Sequence, residues 1–293
     1  MRVYTAFTPF LLLFLLLPIL PMTAASAGTL TIAAPPDVIA DHDRLLAGRK
    51  PAAVTRYDGP GSRRDVVELI LVQQALILAG NQRPVELVPA PTYMRMLAMV
   101  ADGHAELTGT SVWASDIDND AERLQASTPL IAEGEFHAAF FHAHNNSTGV
   151  RERIRNGDWE HLAAVSSRSW KPDWKALHHL GLAQVYDVPE WPAMVRMVSA
   201  GRADFLLAPF PADRSGSLQF DGMQLDAVPG VCLPLAGSRH LAVARSRPET
   251  LSQLERGLNL LRQKAVIRRA YTEAGFWSEE SRSCRPVAGK RRD

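Results

Sequence analysis

The most constraining feature of the sequence is an internal quasi-repeat. The segment PTYMRMLAMVADGHAE, residues 91–106, aligns without gaps on PEWPAMVRMVSAGRAD, residues 189–204. The copies share a proline, an aromatic residue, a Met/Val pattern at helical spacing and a glycine. Chance similarity between two amphipathic helices would explain the Met/Val pattern, but not the proline, aromatic residue and glycine. The repeat therefore indicates two related structural units.

Each copy of the repeat predicts a β-α-β unit. Strand-like segments precede the copies at residues 85–88 and 184–188, and strand-like segments follow within residues 105–110 and 204–208. Gly103 and Gly201 stand where a helix ends in a left-handed residue. Because β-α-β crossovers join parallel strands with a fixed hand, the sequence predicts an α/β fold with two lobes. Each lobe is expected to be a mostly parallel sheet flanked by helices.

The remaining segments can be placed around these two units. We expect a strand at residues 30–34, helices at 65–78 and 172–180, and a long helical stretch at 249–271. Residues 38–60 are expected to be an irregular surface excursion. Extended segments at 136–144 and 231–244 lie on either side of the second unit.

The N-terminus predicts export. Arg2 is the only charged residue before Asp37, and it precedes an apolar run and the small-residue stretch that ends at Ala27. This pattern is typical of a secretory signal peptide, here residues 1–27, cleaved after Ala27. We therefore expect a soluble periplasmic protein. No cysteine lies near the cleavage site, so we expect no lipid anchor.

Charge and motifs exclude several function classes. The whole chain has 32 Lys and Arg against 31 Asp and Glu, and loss of Arg2 makes it formally neutral. A balanced chain lacks the clustered basic residues that nucleic-acid binding requires. We find no nucleophile elbow, phosphate loop or dinucleotide fingerprint. We accordingly expect no enzyme activity, no cofactor, no metal and no nucleic-acid partner.

Two cysteines remain after cleavage, Cys232 and Cys284. An even number of cysteines in an exported chain favours a disulfide. Two buried free thiols are the alternative.

Several segments, in their order and spacing, resemble family-3 periplasmic solute-binding proteins. These segments are LTIAAPP, DVVELILVQQALILAG, the Gly103 to Glu106 step, GRADFLL, and the closing ARSRPETLSQLERGLNLLRQKAVIRRAYTEAGF. That family has the type-II two-lobed fold also used by amino-acid ABC transporters. The resemblance implies that the chain crosses between the lobes twice, with lobe one at residues 28–134 and 239–293 and lobe two at 135–238. It also implies a monomer that closes on a small solute.

The ligand-binding residues are expected at the carboxyl ends of the strands, where open α/β sheets bind their ligands. The candidates are Asp37, Tyr93, Arg95, Thr108, Thr110, Ser111 and Trp113 in lobe one, and Ser166, Ser167, Arg168, Ser169 and Trp170 in lobe two. The Ser-Ser-Arg-Ser turn is the strongest candidate for an anion, because hydroxyls, amides and a cation meet at a helix N-terminus. An ordinary helix cap with an exposed arginine is the alternative. Tyr93 and Trp170 could equally belong to the core.

The sequence departs from the amino-acid-binding pattern at two points. No arginine closely follows the turn at Thr110, and Ala208-Pro209 stands where an acidic residue would pair with a ligand ammonium. The sequence therefore favours a polar solute that is anionic or contains an aromatic group, delivered to a membrane permease. A ligand-presenting module for a membrane sensor and a dehydratase-like enzyme are the alternatives. Asp37 is the acidic residue that the sequence places at the cleft.

Overall fold

A computed structural model describes residue 1 and residues 28–145, 147–211 and 216–287. Apart from residue 1, the predicted signal peptide lies outside the described residues. The strands are β1 (Leu30–Ala34), β2 (Val85–Pro89), β3 (Leu107–Thr108), β4 (Val112–Trp113), β5 (Leu124–Ala126), β6 (His137–Ala143), β7 (Ala163–Ser166), β8 (Gln184–Asp187), β9 (Phe205–Pro209), β10 (Ser217–Phe220), β11 (Met223–Ala227), β12 (Val231–Pro234), β13 (Arg239–His240), β14 (Ala242–Ala244) and β15 (Arg285–Pro286). The helices are α1 (Pro36–Leu46), α2 (Arg64–Leu78), α3 (Tyr93–Ala101), α4 (Ala114–Asp118), α5 (Ser147–Asn156), α6 (Lys171–Leu180), α7 (Trp191–Ser199), α8 (Pro248–Gln263), α9 (Val266–Glu273) and α10 (Glu279–Ser283).

Two sheets organise the chain. The first has the order β2-β1-β3-β14-β5, in which β1, β2 and β3 are parallel and β14 is antiparallel to both neighbours. The second has the order β10-β11-β6-β9-β7-β8, in which β7, β8 and β9 are parallel and β6 and the hairpin β10–β11 are antiparallel. Each sheet thus contains three adjacent parallel strands at one edge, and the α/β prediction is confirmed. None of the described helices has both the length and the hydropathy needed to cross a bilayer.

The quasi-repeat folds as predicted. In the first copy, α3 connects β2 to β3, and in the second copy, α7 connects β8 to β9. In each case the two connected strands lie on either side of a shared parallel neighbour, which is β1 or β7. Gly103 and Gly201 both have positive φ angles, 78° and 68°, as expected after a helix end.

Two local predictions were wrong. Residues 38–60 are not all irregular, because α1 begins at Pro36 and buries Val38, Leu45 and Leu46 at helical spacing. The predicted single helix at 249–271 is divided into α8 and α9. Ala265, at the break, has a φ of 54°, which a continuous right-handed helix does not allow.

Helix α2 is the central helix of the first sheet's side of the molecule. All but three of its fifteen residues are buried, because its sequence is apolar on nearly every face. It packs along α8, and Gly257 of α8 lies directly against the backbone of Ala75 of α2. At the N-terminal end of α2, Arg64 and Glu68 hydrogen-bond Ser111, which follows β3.

The chain passes between the two sheets at three places. The connections from β5 to β6, and from β12 through β13 to β14, are the two crossings that the resemblance implied; β13 itself pairs with β4 in a separate two-stranded sheet. The third crossing follows α9 and leads to β15, which pairs in parallel with β12 of the second sheet. The predicted lobe limits placed all of residues 239–293 in lobe one. Cys232 and Cys284 form a disulfide beside this pairing, with their Cα atoms 5.7 Å apart. The exact lobe limits stay a prediction.

Candidate functional site

A cavity of about 390 Å³ lies between the two sheets. Both sides contribute aromatic rings to its wall: Tyr93, Trp113, Phe136, Trp170, Trp191 and Phe210. Prolines line it as well: Pro35, Pro60, Pro91, Pro189, Pro192, Pro209 and Pro211. Such a wall favours a ligand with a flat or apolar body, with orientation set by a few polar groups.

Two consecutive arginines begin helix α2 and line the cavity. A helix N-terminus carries partial positive charge, so cations there are unfavourable unless acids offset them. Arg63 is offset by Asp37 at 2.6 Å, Asp41 at 3.0 Å and Asp65 at 3.5 Å. Its charge is therefore already balanced within the protein.

Arg64 is buried but incompletely bonded. Its Nη1 donates to Glu68 Oε1 at 3.3 Å and to Ser111 Oγ at 3.2 Å, and its Nη2 donates to Asp65. Burial alone would lower the pKa of Arg64, but Asp65 and Glu68 outweigh burial and raise it. Its buried Nε has no hydrogen-bond partner among the described residues. An unpaired buried N–H is costly, so a hydrogen-bond acceptor placed at this atom would stabilise the site.

Arg239 is the second buried cation of the cavity. Pairing of β13 with β4 places Arg239 opposite Trp113. Its Nε donates to Ser111 Oγ at 3.0 Å, its Nη2 donates to the Ser111 carbonyl, and its guanidinium carbon lies 4.5 Å from the Trp113 ring centre. Burial, and then the neighbouring Arg64, lower the pKa of Arg239. No carboxylate among the described residues forms an ion pair with it within 4.0 Å.

Glu68 is the buried carboxylate behind these cations, and protein groups already satisfy it. It accepts hydrogen bonds from Ser111 N at 2.7 Å, Ser111 Oγ at 2.8 Å and Tyr271 Oη at 2.8 Å, and it also pairs with Arg64. Burial and then Glu68 raise the pKa of Tyr271 well above its usual value, so the phenol stays a donor. Glu68 and Asp65 together offset Arg64, whereas neither forms an ion pair with Arg239 within 4.0 Å.

Asp173 lines the cavity from the opposite side, in the first turn of α6. It is 9% exposed, and burial raises its pKa to about 6. No Lys or Arg nitrogen of the described residues lies within 4.0 Å of its carboxylate. Asp173 is thus a buried acid that has no ion-pair partner among the described residues and a pKa well above the usual value of an aspartate.

One ion pair joins the two sides of the cavity at its rim. Lys171 Nζ lies 2.6 Å from Asp116 Oδ1, and Asp116 is buried whereas Lys171 is half exposed. Tyr93 Oη donates to Asp116 Oδ2 at 2.8 Å and accepts from the Trp113 amide at 3.0 Å. Lys171 belongs to the second sheet's side, and the other three residues belong to the first.

The structure brings some of the sequence-predicted residues to the cavity and keeps others away. Those that line it are Asp37, Tyr93, Thr110, Trp113 and Trp170; those that do not are Arg95, Thr108, Ser111, Ser166, Ser167, Arg168 and Ser169. Thr108 is buried where it accepts the Ala242 amide, and Ser111 lies behind the arginines. Arg95 is exposed.

The Ser-Ser-Arg-Ser turn, the strongest sequence candidate, directs two of its backbone amides to groups of the protein itself. The Arg168 amide donates to Asp187 Oδ1 at 2.9 Å, and the amide of Ser169 donates to Ser167 Oγ at 3.2 Å. The Arg168 guanidinium is exposed, 3.6 Å from Asp187. The turn therefore stands apart from the cavity that Trp170 enters.

Sequence reasoning missed three polar residues that line the cavity, Arg64, Arg239 and Asp173. It also missed Glu68, Asp116 and Lys171, which do not line the cavity but take part in the hydrogen bonds and ion pairs described above. One signal was present, because Arg63-Arg64 precede an apolar helix whose dipole disfavours cations there. Arg239 carried no such signal, since only the pairing of β13 with β4 brings it to Ser111.

Comparisons with known proteins identify the fold. No family model and no curated protein matches the chain. Among solved structures it is similar to an amino acid ABC transporter substrate-binding protein from Streptococcus pneumoniae bound to L-arginine, with a TM-score of 0.58, 14% identity, and 85% of this chain and 94% of that chain covered. It is also similar to the periplasmic domain of Bordetella pertussis BvgS, with a TM-score of 0.54, 15% identity and 87% of this chain covered. The chain spans 44% of that domain's length.

A third similar structure is an ancestral amino acid-binding protein, a precursor of cyclohexadienyl dehydratase, with a TM-score of 0.54, 13% identity, and 85% of this chain and 95% of that chain covered. These matches extend across both sheets. The chain has the type-II periplasmic binding protein fold. In a type-II periplasmic binding fold the cavity between the two sheets is the interlobe cleft, so Arg64 and Arg239 face Asp173 across the cleft.

Proposed function

We propose that the chain is a periplasmic solute-binding protein that closes on a small carboxylate with a flat apolar body. The observation that carries this proposal is the pair of buried guanidinium groups in the cleft. Arg64 Nε has no partner, and Arg239 has no carboxylate partner, among the described residues. A planar guanidinium fits a carboxylate through two parallel hydrogen bonds, so a ligand carboxylate would supply what both groups lack.

The other residues that line the cleft support the second part of the proposal, that the ligand carries a flat apolar group besides its carboxylate. Trp113 and Tyr93 on one side, and Trp170 and Trp191 on the other, offer ring faces and edges. Ala208 and Pro209 also line the cleft, at the position where the amino-acid-binding pattern would have an acidic residue. Neither can pair with an ammonium group, which favours a carboxylate other than a standard α-amino acid.

The cellular role follows from the predicted export signal and from the fold. We propose that the protein delivers its solute to an inner-membrane transporter, as the similarity to a transporter substrate-binding protein favours. The similarity to a BvgS periplasmic domain supports presentation to a membrane sensor as the alternative. Co-purification of the mature protein with a permease or with a sensor kinase, from membranes of the source cell, separates the two roles.

One observation favours a second candidate function, a dehydratase-like enzyme. Asp173 has a pKa of about 6 and lies in the cleft opposite two carboxylate-binding cations. A carboxylic acid in that range can protonate a leaving hydroxyl group as general acid. Catalytic loss of water from a hydroxylated carboxylate, abolished in Asp173→Asn, would favour the enzyme over the binding protein.

A thermal-shift screen tests carboxylate binding directly. Formate, acetate, benzoate, phenylacetate and 3-phenylpropanoate are compared with the corresponding neutral amides. A ligand present at 100 times its dissociation constant adds about 2.7 kcal/mol to stability. For a chain of this size that raises the melting temperature by about 5–10 °C.

Two variants show whether the arginines provide the binding. Arg239→Gln should weaken the binding of the best carboxylate about 10- to 100-fold, because a charge-assisted hydrogen bond contributes about 1.5–3 kcal/mol. Arg202→Gln is the matched control, since Arg202 is exposed and does not line the cleft. Equal responses to acids and amides, or equal affinity in both variants, would contradict the proposal.

A further inference from the structure

The proposed binding of a carboxylate does not explain why the cleft contains Asp173. A carboxylate bound to the two arginines would take the positive charges that otherwise complement Asp173. Asp173 enters the cleft from the first turn of α6, and only 9% of its surface is exposed. The charged groups that act on it from other elements are Arg239 of β13 and Arg64 of α2. On its own helix, Lys171 is directed to Asp116 instead.

Asp173 and the two arginines line the same cavity of about 390 Å³. No guanidinium nitrogen of the described residues lies within 4.0 Å of the Asp173 carboxylate, although both guanidinium groups act on it electrostatically. A ligand carboxylate bound to Arg64 and Arg239 would enter this space. It would then lie beside a second carboxylate in a site with little water.

Two carboxylates that share a buried site cannot both remain ionised at neutral pH, and one of them retains a proton. We propose that Asp173 takes up one proton from solvent when a carboxylate ligand binds, and then donates its O–H to the ligand. The cleft therefore binds a carboxylate together with a proton. This inference rests on the proposed function, because it requires a carboxylate at the arginines.

The direction of the pH dependence follows from linkage. In the free protein, burial raises the pKa of Asp173 to about 6, so the group is mostly ionised at pH 7. A bound carboxylate raises the pKa of Asp173 further. Affinity is then greatest below pH 6 and falls as pH rises, by up to about tenfold per pH unit, until pH passes the pKa of Asp173 in the complex. A cationic ligand would give the opposite slope.

The experiment measures dissociation constants of the tightest-binding monocarboxylate of the panel at pH 6 and pH 8. Simple carboxylic acids have pKa values of about 4–5, so the probe itself stays ionised over this range. The matching amide and amine are run in parallel. Calorimetry in two buffers of different ionisation enthalpy counts the protons taken up per ligand.

The unmodified protein should bind the carboxylate about tenfold more tightly at pH 6 than at pH 8, with up to one proton taken up. Asp173→Asn should bind with little pH dependence and without proton uptake, because its amide needs no proton to donate to the ligand. Asp221→Asn is the matched control, since Asp221 is exposed in the β10–β11 turn with a φ of 48° that asparagine tolerates. It should retain the pH dependence of the unmodified protein.

Each contrary outcome has a definite meaning. Carboxylate binding that is independent of pH, or whose pH dependence survives Asp173→Asn, overturns the role of Asp173 while leaving the proposed function standing. Binding of the amine alone, tighter at pH 8, overturns both the role of Asp173 and the proposed function. If no monocarboxylate binds at either pH, the proposed function fails and this inference fails with it. A melting temperature for Asp173→Asn within a few degrees of the parent confirms that the variant is folded.

Discussion

The close contact between Gly257 of α8 and Ala75 of α2 provides a test of how α2, the helix that carries Arg64, is positioned. Gly257 of α8 has no room for a side chain: a Cβ atom there would lie 1.9 Å from the Ala75 carbonyl oxygen and 2.3 Å from its carbon. Ordinary contacts of this kind are about 3.4–4 Å. Gly257→Ala would therefore require α2 and α8 to separate by about 1.5 Å.

The energy of this change can be estimated from two opposing effects. Alanine favours a helix interior over glycine by about 1 kcal/mol. Overpacking a rigid contact costs about 1–3 kcal/mol or more, and the atoms met here are backbone atoms of a helix that is buried along nearly its whole length. We expect a net loss near 2 kcal/mol, and hence a melting temperature lower by about 4–8 °C.

Gly149→Ala is the matched control. Gly149 lies in helix α5, is exposed, and has no atom within 4 Å of an added Cβ. That variant should be stabilised by about 0.5–1 kcal/mol, because only the helix propensity changes. Thermal and urea unfolding of both variants measure the difference. Equal or greater stability of Gly257→Ala would refute the close packing of α2 on α8, and with it the account of how Arg64 is positioned.

Two further predictions concern the links between the sheets. Replacing Cys232 and Cys284 with serine should lower the free energy of unfolding by about 4 kcal/mol, the chain-entropy estimate for a loop of 52 residues, and urea unfolding of both forms measures it. Lys171→Met should leave Asp116 buried without its cation and so favour an open cleft. We expect a larger radius of gyration in small-angle scattering without ligand, and an unchanged radius would show that this ion pair does not hold the cleft closed.

The sequence was sufficient for the fold because the fold depends on local patterns. Each copy of the quasi-repeat encodes a helix and its glycine stop, and strand-like segments flank it, so each β-α-β unit could be predicted from one short stretch of sequence. The helix break at Ala265 could not be predicted, since the apolar spacing continues across it. Helix α1 was missed for the opposite reason. Its short apolar stripe lies among many polar residues, so the helical pattern is weak in the sequence.

The polar residues of the cleft were harder to predict because they come together only in the tertiary structure. Arg239 and Ser111 are 128 residues apart in sequence, and a two-residue strand pairing joins them. Aromatic residues were predicted better: Tyr93, Trp113 and Trp170 line the cleft. These residues lie at the ends of strands or helices, so the strand and helix patterns place them. Nothing in the sequence around Asp173 indicates that it is buried.

The third passage between the sheets also affects how movement of this molecule can be observed. The first described strand, β1, lies in one sheet, whereas the last, β15, lies in the other and is fixed there by the disulfide. Any hinge motion therefore changes the distance between Leu30 and Arg285, two positions near opposite ends of the described chain. A donor and an acceptor fluorophore attached near these residues would report opening and closing in real time. Reduction of the disulfide would broaden the distribution of measured distances, because β15 would no longer be fixed to the second sheet by that bond.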